Sequence, residues 1–339
     1  MRRTGSLLMI VAAAAIMCFA APASAQDAKL VEAAKKEGGK VIVYGSIEND
    51  TMDLIAAAFK RRTGLEVDYW RESANKVTDR VGAEFRAGKP QADVVLTTTS
   101  TMKLIQKDGL LAKYGSPSAK SFPKTVIDPD LGPAYRSTVI GVVYNTNIVK
   151  PVEAPKSLED LVKPQYKGKV VFPDPSQHTT TAQWLNSLQK VIGKEKADKF
   201  IHDLAASKPL LVSSLTPAGE RITTGETPIG VAFLKNVVFY GRKGVPLDYV
   251  RLGKFLGDGQ SITLAAKAPH PSAGKALIDY FLGEESLKIM ANIGEFVTRK
   301  GIYPPLPDAN KIQLVDMIEM DKEAFKEKMA EYKKIFLEN

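Results

Sequence analysis

The chain has 339 residues, of which 44% are hydrophobic and 25% charged, and its formal net charge is +9. This length is too great for one ordinary hydrophobic core and suits about two domains. The single cysteine, Cys18, excludes a disulfide framework and any cysteine-based metal or nucleophilic site in the rest of the chain. The lysines and arginines are spread over amphipathic stretches, which argues against a nucleic-acid-binding protein but leaves a positive field that attracts anionic solutes.

Residues 1–25 have the composition of a secretory signal peptide. Arg2 and Arg3 form a positive start, residues 7–21 an apolar stretch, and Ala23-Ser24-Ala25 a small-residue cleavage site. A transmembrane anchor would need about 20 apolar residues, and Pro22 interrupts the stretch too early. We therefore predict cleavage after Ala25 and export of the remaining chain.

Beyond residue 25, short β-branched runs alternate with amphipathic stretches, the pattern of an α/β fold with mostly parallel sheets. In chain order the first predicted elements are strand 41–44, helix 51–62, strand 65–69, helix 74–86 and strand 92–96. A stretch rich in proline and glycine at 114–133 interrupts the alternation. The later predicted elements are strands 139–144 and 169–172, helices 180–192 and 195–206, strand 210–213, helix 217–224, strands 229–233 and 260–266, and helices 272–282 and 284–293.

The interruption and the resumed alternation predict two lobes. One lobe is expected to contain residues 26–134 and 252–300, and the other residues 135–251. The chain would then cross between the lobes near residues 135 and 250, and two such crossings form a hinge. Residues 301–339 are expected to form a C-terminal helical segment, which the sequence does not assign to either lobe.

Catalytic signatures are missing from the sequence. It contains no Gly-x-Ser-x-Gly elbow, His-Glu-x-x-His helix, Walker loop or Gly-x-Gly-x-x-Gly fingerprint. His178, His202 and His270 are far apart, and we expect neither a metal ion nor a cofactor. A secreted α/β hydrolase or transferase stays as an alternative, but it lacks a recognisable pairing of nucleophile and base.

Polar loops follow several predicted strands, and each loop runs into a helix. They lie at 46–50, 97–101, 176–181 and 213–216. In open α/β sheets, ligands bind outside the carboxyl ends of strands, where helix N-terminal amides and hydroxyl groups face the solute. This arrangement predicts an anion site formed by Ser46, Thr98, Thr99, Ser100, Ser176, Thr179, Thr180 and Ser214.

Three other side chains are candidates for ligand contact. Arg221 could place its guanidinium on a phosphate or carboxylate, or pair on the surface with a neighbouring glutamate. His178 lies within one of the polar loops, where its titration would make binding depend on pH. Tyr144 ends a strand and either lines the cleft or packs with a hydrated hydroxyl group.

A series of short motifs occurs in a fixed order along the chain. The motifs are Val43-Tyr44-Gly45-Ser46, residues 59–67, Ala92-Asp93-Val94-Val95, residues 141–145, residues 166–170 leading to Asp174-Pro175-Ser176, and residues 270–276 before 279–282. In this order they resemble the type 2 periplasmic substrate-binding proteins, in the group of ferric-iron-binding and family 1 extracellular solute-binding proteins. The resemblance implies a two-lobed periplasmic protein without enzymatic activity, which closes on a small solute and delivers it to an ABC permease in the inner membrane. We expect it to be a monomer.

The sequence departs from the ferric members of this group at their metal ligands. Those proteins hold iron with an adjacent Tyr-Tyr pair, usually assisted by a His in the first loop and a Glu in the second helix. The corresponding positions here are Val237 and Val238 for the pair and near Glu48 for the His, while Glu84 could match the Glu. Ferric iron prefers hard anionic oxygen ligands, which valine does not offer. We therefore expect a small solute bearing a phosphate, phosphonate or carboxylate group, with Asn236 in the corresponding loop as a further polar contact. Ferric iron held by other tyrosines, such as Tyr44, Tyr144 or Tyr240, stays as the alternative.

Overall fold

The computed structural model describes residues 25–338, with side chains from Asp27 onward. The predicted signal peptide, apart from Ala25, lies outside these residues. In the described part of the chain, no helix is long and apolar enough to cross a membrane.

The first part of the chain forms a parallel sheet covered by helices. Its elements are α1 (Ala25–Lys36), β1 (Lys40–Gly45), α2 (Asn49–Thr63), β2 (Glu66–Arg71), α3 (Ala74–Arg86), β3 (Val94–Thr98) and α4 (Thr99–Lys107). Strand β1 pairs in parallel with both β2 and β3. Helix α2 ends where Gly64 adopts a φ of 77°, a left-handed conformation that glycine adopts without steric cost.

A less regular segment leads to the first long strand. It contains β4 (Leu111–Ala112), two short 3-10 turns (Pro117–Ser121 and Lys124–Val126), the small antiparallel pair β5 (Ile127–Asp128) and β6 (Gly132–Pro133), and then β7 (Arg136–Asn145). This segment coincides with the stretch in which proline and glycine interrupt the sequence pattern.

The middle of the chain forms a second α/β unit. Its elements are 3-10 turns at Glu159–Val162 and Pro164–Tyr166, β8 (Val170–Pro173), α5 (Thr179–Ser187), α6 (Gln189–Ile192), α7 (Lys194–Ala206), β9 (Leu210–Val212), α8 (Leu215–Thr224), β10 (Ile229–Phe233), α9 (Lys235–Gly241) and β11 (Leu247–Tyr249). The predicted helix 180–192 is divided into α5 and α6, because the Leu188 amide donates to the carbonyl of Leu185, only three residues back. Helix α9 was not predicted from the sequence.

The last part of the chain returns to the first unit. It contains β12 (Lys254–Ala265), α10 (Pro271–Phe281), α11 (Glu284–Asn292), β13 (Phe296–Val297), a 3-10 turn (Ala309–Lys311), β14 (Gln313–Asp316) and α12 (Lys322–Leu337). The sequence predicted only the second half of β12. Gly257 and Gly259 interrupt the strand pattern in the first half of β12. The structure requires glycine at 257, because a Cβ atom there would clash with the hydroxyl oxygen of Ser137.

The strands join into one mixed sheet of order β2-β1-β3-β12-β7-β10-β8-β9. Strand β12 runs antiparallel to β7, with which it pairs from Leu256 to Gln260, and to β3, with which it pairs from Gln260 to Leu264. Strands β7 and β12 therefore form the two-strand connection between the lobes.

Each lobe has its own hydrophobic core. Phe59, Ile262 and Leu277 belong to the first core, whereas Leu256 packs in the second. The chain therefore changes lobe within β12, and the sequence-based boundary at residue 252 lies two residues before this strand begins.

The C-terminal segment packs on the second lobe. The Phe336 ring of α12 stacks on Phe172 of β8, with centroids 5.8 Å apart, and Tyr332 belongs to the same core. Strand β14 pairs in parallel with β12. This segment, which the sequence left unassigned, thus covers the second lobe and one edge of the connection.

Candidate ligand-binding cleft

A cleft of about 440 Å³, the front cleft, lies between the two lobes. Its floor is the face of β7 and β12 that carries Arg136, Thr138, Asp258 and Gln260. The remaining lining residues come from the loops and helix starts around this floor: Ser46, Glu48, Arg71, Glu72, Ser73, Ala74, Asn75, Thr98, Gln177, His178, Thr179, Thr180, Ser214, Leu215, Thr216 and Phe233.

Helices α3, α5 and α8 begin at the front cleft. The residues before their first turns are Ser73, His178 and Ser214, and none of these side chains caps its helix. Amides of a first turn have no partner within the helix and attract negative charge together with the helix dipole. Since α3 belongs to the first lobe and α5 and α8 to the second, an anion in the cleft would meet helix starts from both lobes.

The structure brings part of the predicted site together in this cleft. The predicted side chains that line it are Ser46, Thr98, His178, Thr179, Thr180 and Ser214. Thr98 also caps α4, because its hydroxyl oxygen accepts from the amide of Thr101 at 3.2 Å. Burial lowers the pKa of His178 to about 4, so the imidazole is neutral at physiological pH and contributes hydrogen bonding without charge.

Other predicted residues lie outside the front cleft. Thr99 and Ser100 line a second cleft of about 540 Å³, the back cleft, on the side of the two long strands that carries Ser137, Gly257 and Gly259. The Thr99 and Ser261 hydroxyl oxygens are 2.9 Å apart. Thr98 and Thr99, although adjacent in the chain, thus line different clefts.

Ser176, Arg221, Asn236 and Tyr144 are also absent from the lining of the front cleft. Their positions follow from local partners. Ser176 donates its hydroxyl hydrogen to Asp174 Oδ1 at 2.7 Å, and the Tyr144 hydroxyl group donates to Asp248 Oδ2 at 3.2 Å. Arg221 forms an exposed ion pair with Glu226. This is the interpretation in which Arg221 pairs on the surface with a neighbouring glutamate and does not contact the ligand. Asn236 is buried beneath α8.

A network of paired charges lies at one end of the front cleft. Glu48 is 2.8 Å from the Lys235 ammonium and 3.5 Å from the Arg136 guanidinium, and both cations also pair with the buried Glu295. Burial raises the pKa of Glu48, but the two cations lower it by more than burial raises it. The pKa of Glu48 is therefore below its usual value, at about 2. Glu48 comes from the first lobe and Lys235 from the second, so this ion pair connects the lobes across the cleft.

Comparison with known proteins shows the family to which the chain belongs. Residues 39–294 match the sequence profile of the bacterial extracellular solute-binding proteins. The chain belongs to this family. Members of the family are extracellular solute-binding proteins rather than enzymes.

The names of proteins similar to this solute-binding protein mention different solutes. A protein of Salmonella typhimurium named "Putative 2-aminoethylphosphonate-binding periplasmic protein" is 24% identical over 250 residues, covering 68% of each chain. The periplasmic binding protein AfuA from Actinobacillus pleuropneumoniae, with fructose-6-phosphate bound, has a TM-score of 0.69 at 20% identity and covers 88% of this chain and 97% of its own. Iron-bound HitA from Pseudomonas aeruginosa has a TM-score of 0.68 at 20% identity and covers 88% and 98%. The solved structures therefore show the two-lobed fold alone.

In this solute-binding protein, the residues that correspond to ferric ligands are either valines or glutamates that pair with other side chains. Val237 and Val238 lie on α9, and Glu48 is paired with Lys235 and Arg136. Glu84 accepts hydrogen bonds from the Tyr44 hydroxyl group and from Arg80, away from the front cleft. Among residues 25–338, no group of three or more His, Cys, Asp or Glu side chains could hold a metal ion.

Arg71 is a lining residue that the sequence analysis missed. It ends β2, is exposed, and its guanidinium makes no ion pair or hydrogen bond with any residue that the structure describes. The sequence did contain a signal, because Arg71-Glu72-Ser73 is another polar run between a strand and a helix. Ending the predicted strand at residue 69 left this run uninterpreted.

Proposed function

We propose that this solute-binding protein captures a small anion bearing a phosphate, phosphonate or carboxylate group in the front cleft. After the hinge closes, it would deliver the solute to an ABC permease in the inner membrane. The observation that carries the proposal is the convergence of uncapped helix starts from both lobes with the unpaired guanidinium of Arg71. Backbone amides and a guanidinium fork are the groups with which proteins hold such anions.

The name of the Salmonella relative supports a phosphonate as one member of this class. Ferric iron has less support, because two of the three tyrosines considered as alternative ligands, Tyr44 and Tyr144, form hydrogen bonds with other side chains. The Tyr44 hydroxyl group donates to Glu84, and the Tyr144 hydroxyl group donates to Asp248. Periplasmic export through the predicted signal peptide and action as a monomer complete the proposal.

Titration calorimetry of the purified protein tests the solute class. The panel contains phosphate, 2-aminoethylphosphonate, fructose-6-phosphate, citrate and ferric citrate. We expect at least one of the iron-free anions to bind at a single site. Uptake of one ferric ion with a phenolate-to-iron absorption band, together with no binding of any iron-free anion, would contradict the proposal.

Two threonines provide a matched pair of variants for locating the site. Thr179 lines the front cleft at the start of α5, whereas Thr99 lines the back cleft. Because a hydrogen bond to a charged group contributes about 1.5–3 kcal/mol, Thr179→Val should weaken binding of the anion roughly ten- to a hundred-fold. Thr99→Val should leave affinity nearly unchanged. Equal losses in both variants would argue against the front cleft as the site.

A further inference from the structure

Asp258 lies between the two clefts, where it lines the floor of the front cleft and also the back cleft, and its carboxyl group has no partner in the described part of the chain. It is on β12, its backbone is paired with Thr138 of β7, and the residue is 9% exposed. In the described part of the chain, its carboxylate makes neither a hydrogen bond nor an ion pair. Leaving a buried carboxylate unpaired is costly, so such a group at a binding cleft points to a partner on the ligand.

The charges around Asp258 make the floor acidic. Arg136 on β7 is the nearby cation, but it is committed to Glu48 and Glu295. Asp316 of β14 and Glu319 in the loop after it add negative charge from the other side. Burial, followed by the charge of Asp316, raises the pKa of Asp258 to about 7 although Arg136 opposes the shift.

The outer part of the cleft has the opposite character. Arg71 lies there and attracts negative charge, and the Ser73 side chain leaves the first turn of α3 without a cap, although the Glu72 carboxylate accepts from the Ser73 amide at 3.3 Å. A solute with a single anionic group would satisfy these groups but would leave Asp258 unpaired or repelled. A solute with charges of both signs would satisfy both parts of the cleft.

We infer that Asp258 is a specificity-determining residue, which selects solutes carrying a positively charged amine in addition to the anionic group. The inference rests on the proposed function, because the helix starts and Arg71 would hold the anionic group. An ammonium group brings up to three hydrogen-bond donors and the counter-charge that this carboxylate lacks.

The test compares two phosphonates of equal length, 2-aminoethylphosphonate and n-propylphosphonate, in which a methyl group replaces the amine. Each is titrated into the wild type and Asp258→Asn by calorimetry at pH 6, 7 and 8. At pH 8 the wild type should bind the aminophosphonate about ten- to a hundred-fold more tightly, as expected for one charge-assisted hydrogen-bonded pair. Asp258→Asn should lose this preference while retaining affinity for n-propylphosphonate.

The pH dependence separates an ionised Asp258 from a protonated one. With a pKa of about 7, the ionised fraction rises from about one tenth at pH 6 to about nine tenths at pH 8. The ratio of wild-type affinity to Asp258→Asn affinity for the aminophosphonate should therefore rise about ten-fold over this range. A falling ratio would mean that a protonated carboxyl group donates to the anion, and it would overturn the inference.

Two controls distinguish this role from a structural one. Asp316→Asn removes a carboxylate that lines the back cleft but not the front cleft, and it should preserve the preference for the amine at pH 8. Asp258→Asn without ligand should unfold at a higher temperature than the wild type at pH 8, because an unpaired buried charge has been removed.

The outcomes also separate the inference from the proposed function. If the wild type binds the two phosphonates within two-fold of each other, or prefers citrate or fructose-6-phosphate over the aminophosphonate, Asp258 does not select an amine and the anion site stands. If no anion of the panel binds, both the inference and the proposed function fail. The comparison of ligands on the wild type does not depend on the folding of any variant.

Discussion

Arg71 is the exposed cation of the front cleft that has no partner in the described part of the chain. A guanidinium offers a planar set of donors that matches phosphate and carboxylate oxygens. Replacing Arg71 with Met should weaken binding of the anion about ten- to a hundred-fold, without a change in the unfolding temperature. Arg61→Met is the matched control, since Arg61 is exposed on α2 and lines neither cleft. Calorimetry on both variants gives the comparison, and similar affinities would exclude a direct contact.

His178 carries a prediction about pH and stability. Burial lowers its pKa from 6.5 to about 4. Between these two pH values, this histidine binds a proton in the unfolded chain but not in the folded protein. Stability should therefore fall as pH decreases from about 6.5 to about 4, by about 2–3 kcal/mol from this residue. His178→Gln should remove this part of the acid sensitivity. Urea unfolding at pH 7 and pH 4.5 measures it, and an unchanged difference between the two pH values would refute the assignment.

At the scale of elements, the motifs that indicated the family have a structural role as well. Asp93, in the Ala92–Val95 motif, is fully buried and accepts hydrogen bonds from the amides of Ile42 at 2.8 Å and His270 at 2.6 Å. His270 precedes α10, so this carboxylate connects β1, β3 and the start of α10. Two of the motifs are thus in contact with each other, and this contact positions the start of α10.

The C-terminal helix α12 should stabilise the second lobe. Tyr332 is only 2% exposed and packs in the same core as Phe172 and Trp184. Because removal of a large buried ring leaves a cavity, Tyr332→Ala should lower the free energy of unfolding by about 3 kcal/mol. Lys333→Ala, at the next and exposed position, should change it by less than about 0.5 kcal/mol. Urea denaturation provides both values, and equal effects would show that α12 is not part of the cooperative core.

At the scale of the whole molecule, ion pairs connect the lobes on both sides of β7 and β12. Glu48 and Lys235 pair beside the front cleft, and Lys103 of α4 pairs with Glu319, which follows β14, at the back cleft. Rotation about two strands that narrows the front cleft widens the back cleft. The two ion pairs should therefore oppose each other, the first favouring the closed form and the second the open form.

Lys103→Met tests this balance. An exposed ion pair contributes up to about 1 kcal/mol, so its loss should raise ligand affinity by up to about five-fold through a shift toward the closed form. Lys107→Met, on the same helix and exposed, serves as the control. Solution scattering should show a smaller radius of gyration with saturating ligand in the wild type, and part of that decrease without ligand in Lys103→Met. An unchanged radius in the ligand-bound wild type would contradict hinge closure.

The sequence by itself determined the two-lobed α/β fold and several of the residues that line the cleft. Both are local properties. Alternating β-branched and amphipathic runs define strands and helices, and a hydroxyl residue between a strand and a helix, such as Ser46, Thr179 or Ser214, lies where parallel strands end.

Only the tertiary structure decided which polar groups are paired and which cleft they face. Thr98 and Thr99 are adjacent in the chain but line opposite clefts, because successive residues at the start of α4 point in different directions. Glu48 is neutralised by Lys235 from the other lobe, whereas Asp258, in a glycine-containing segment without a strand signal, is buried and unpaired. Such differences depend on contacts between residues far apart in sequence, and the free energy of a charged group depends on its burial and partners more than on its identity.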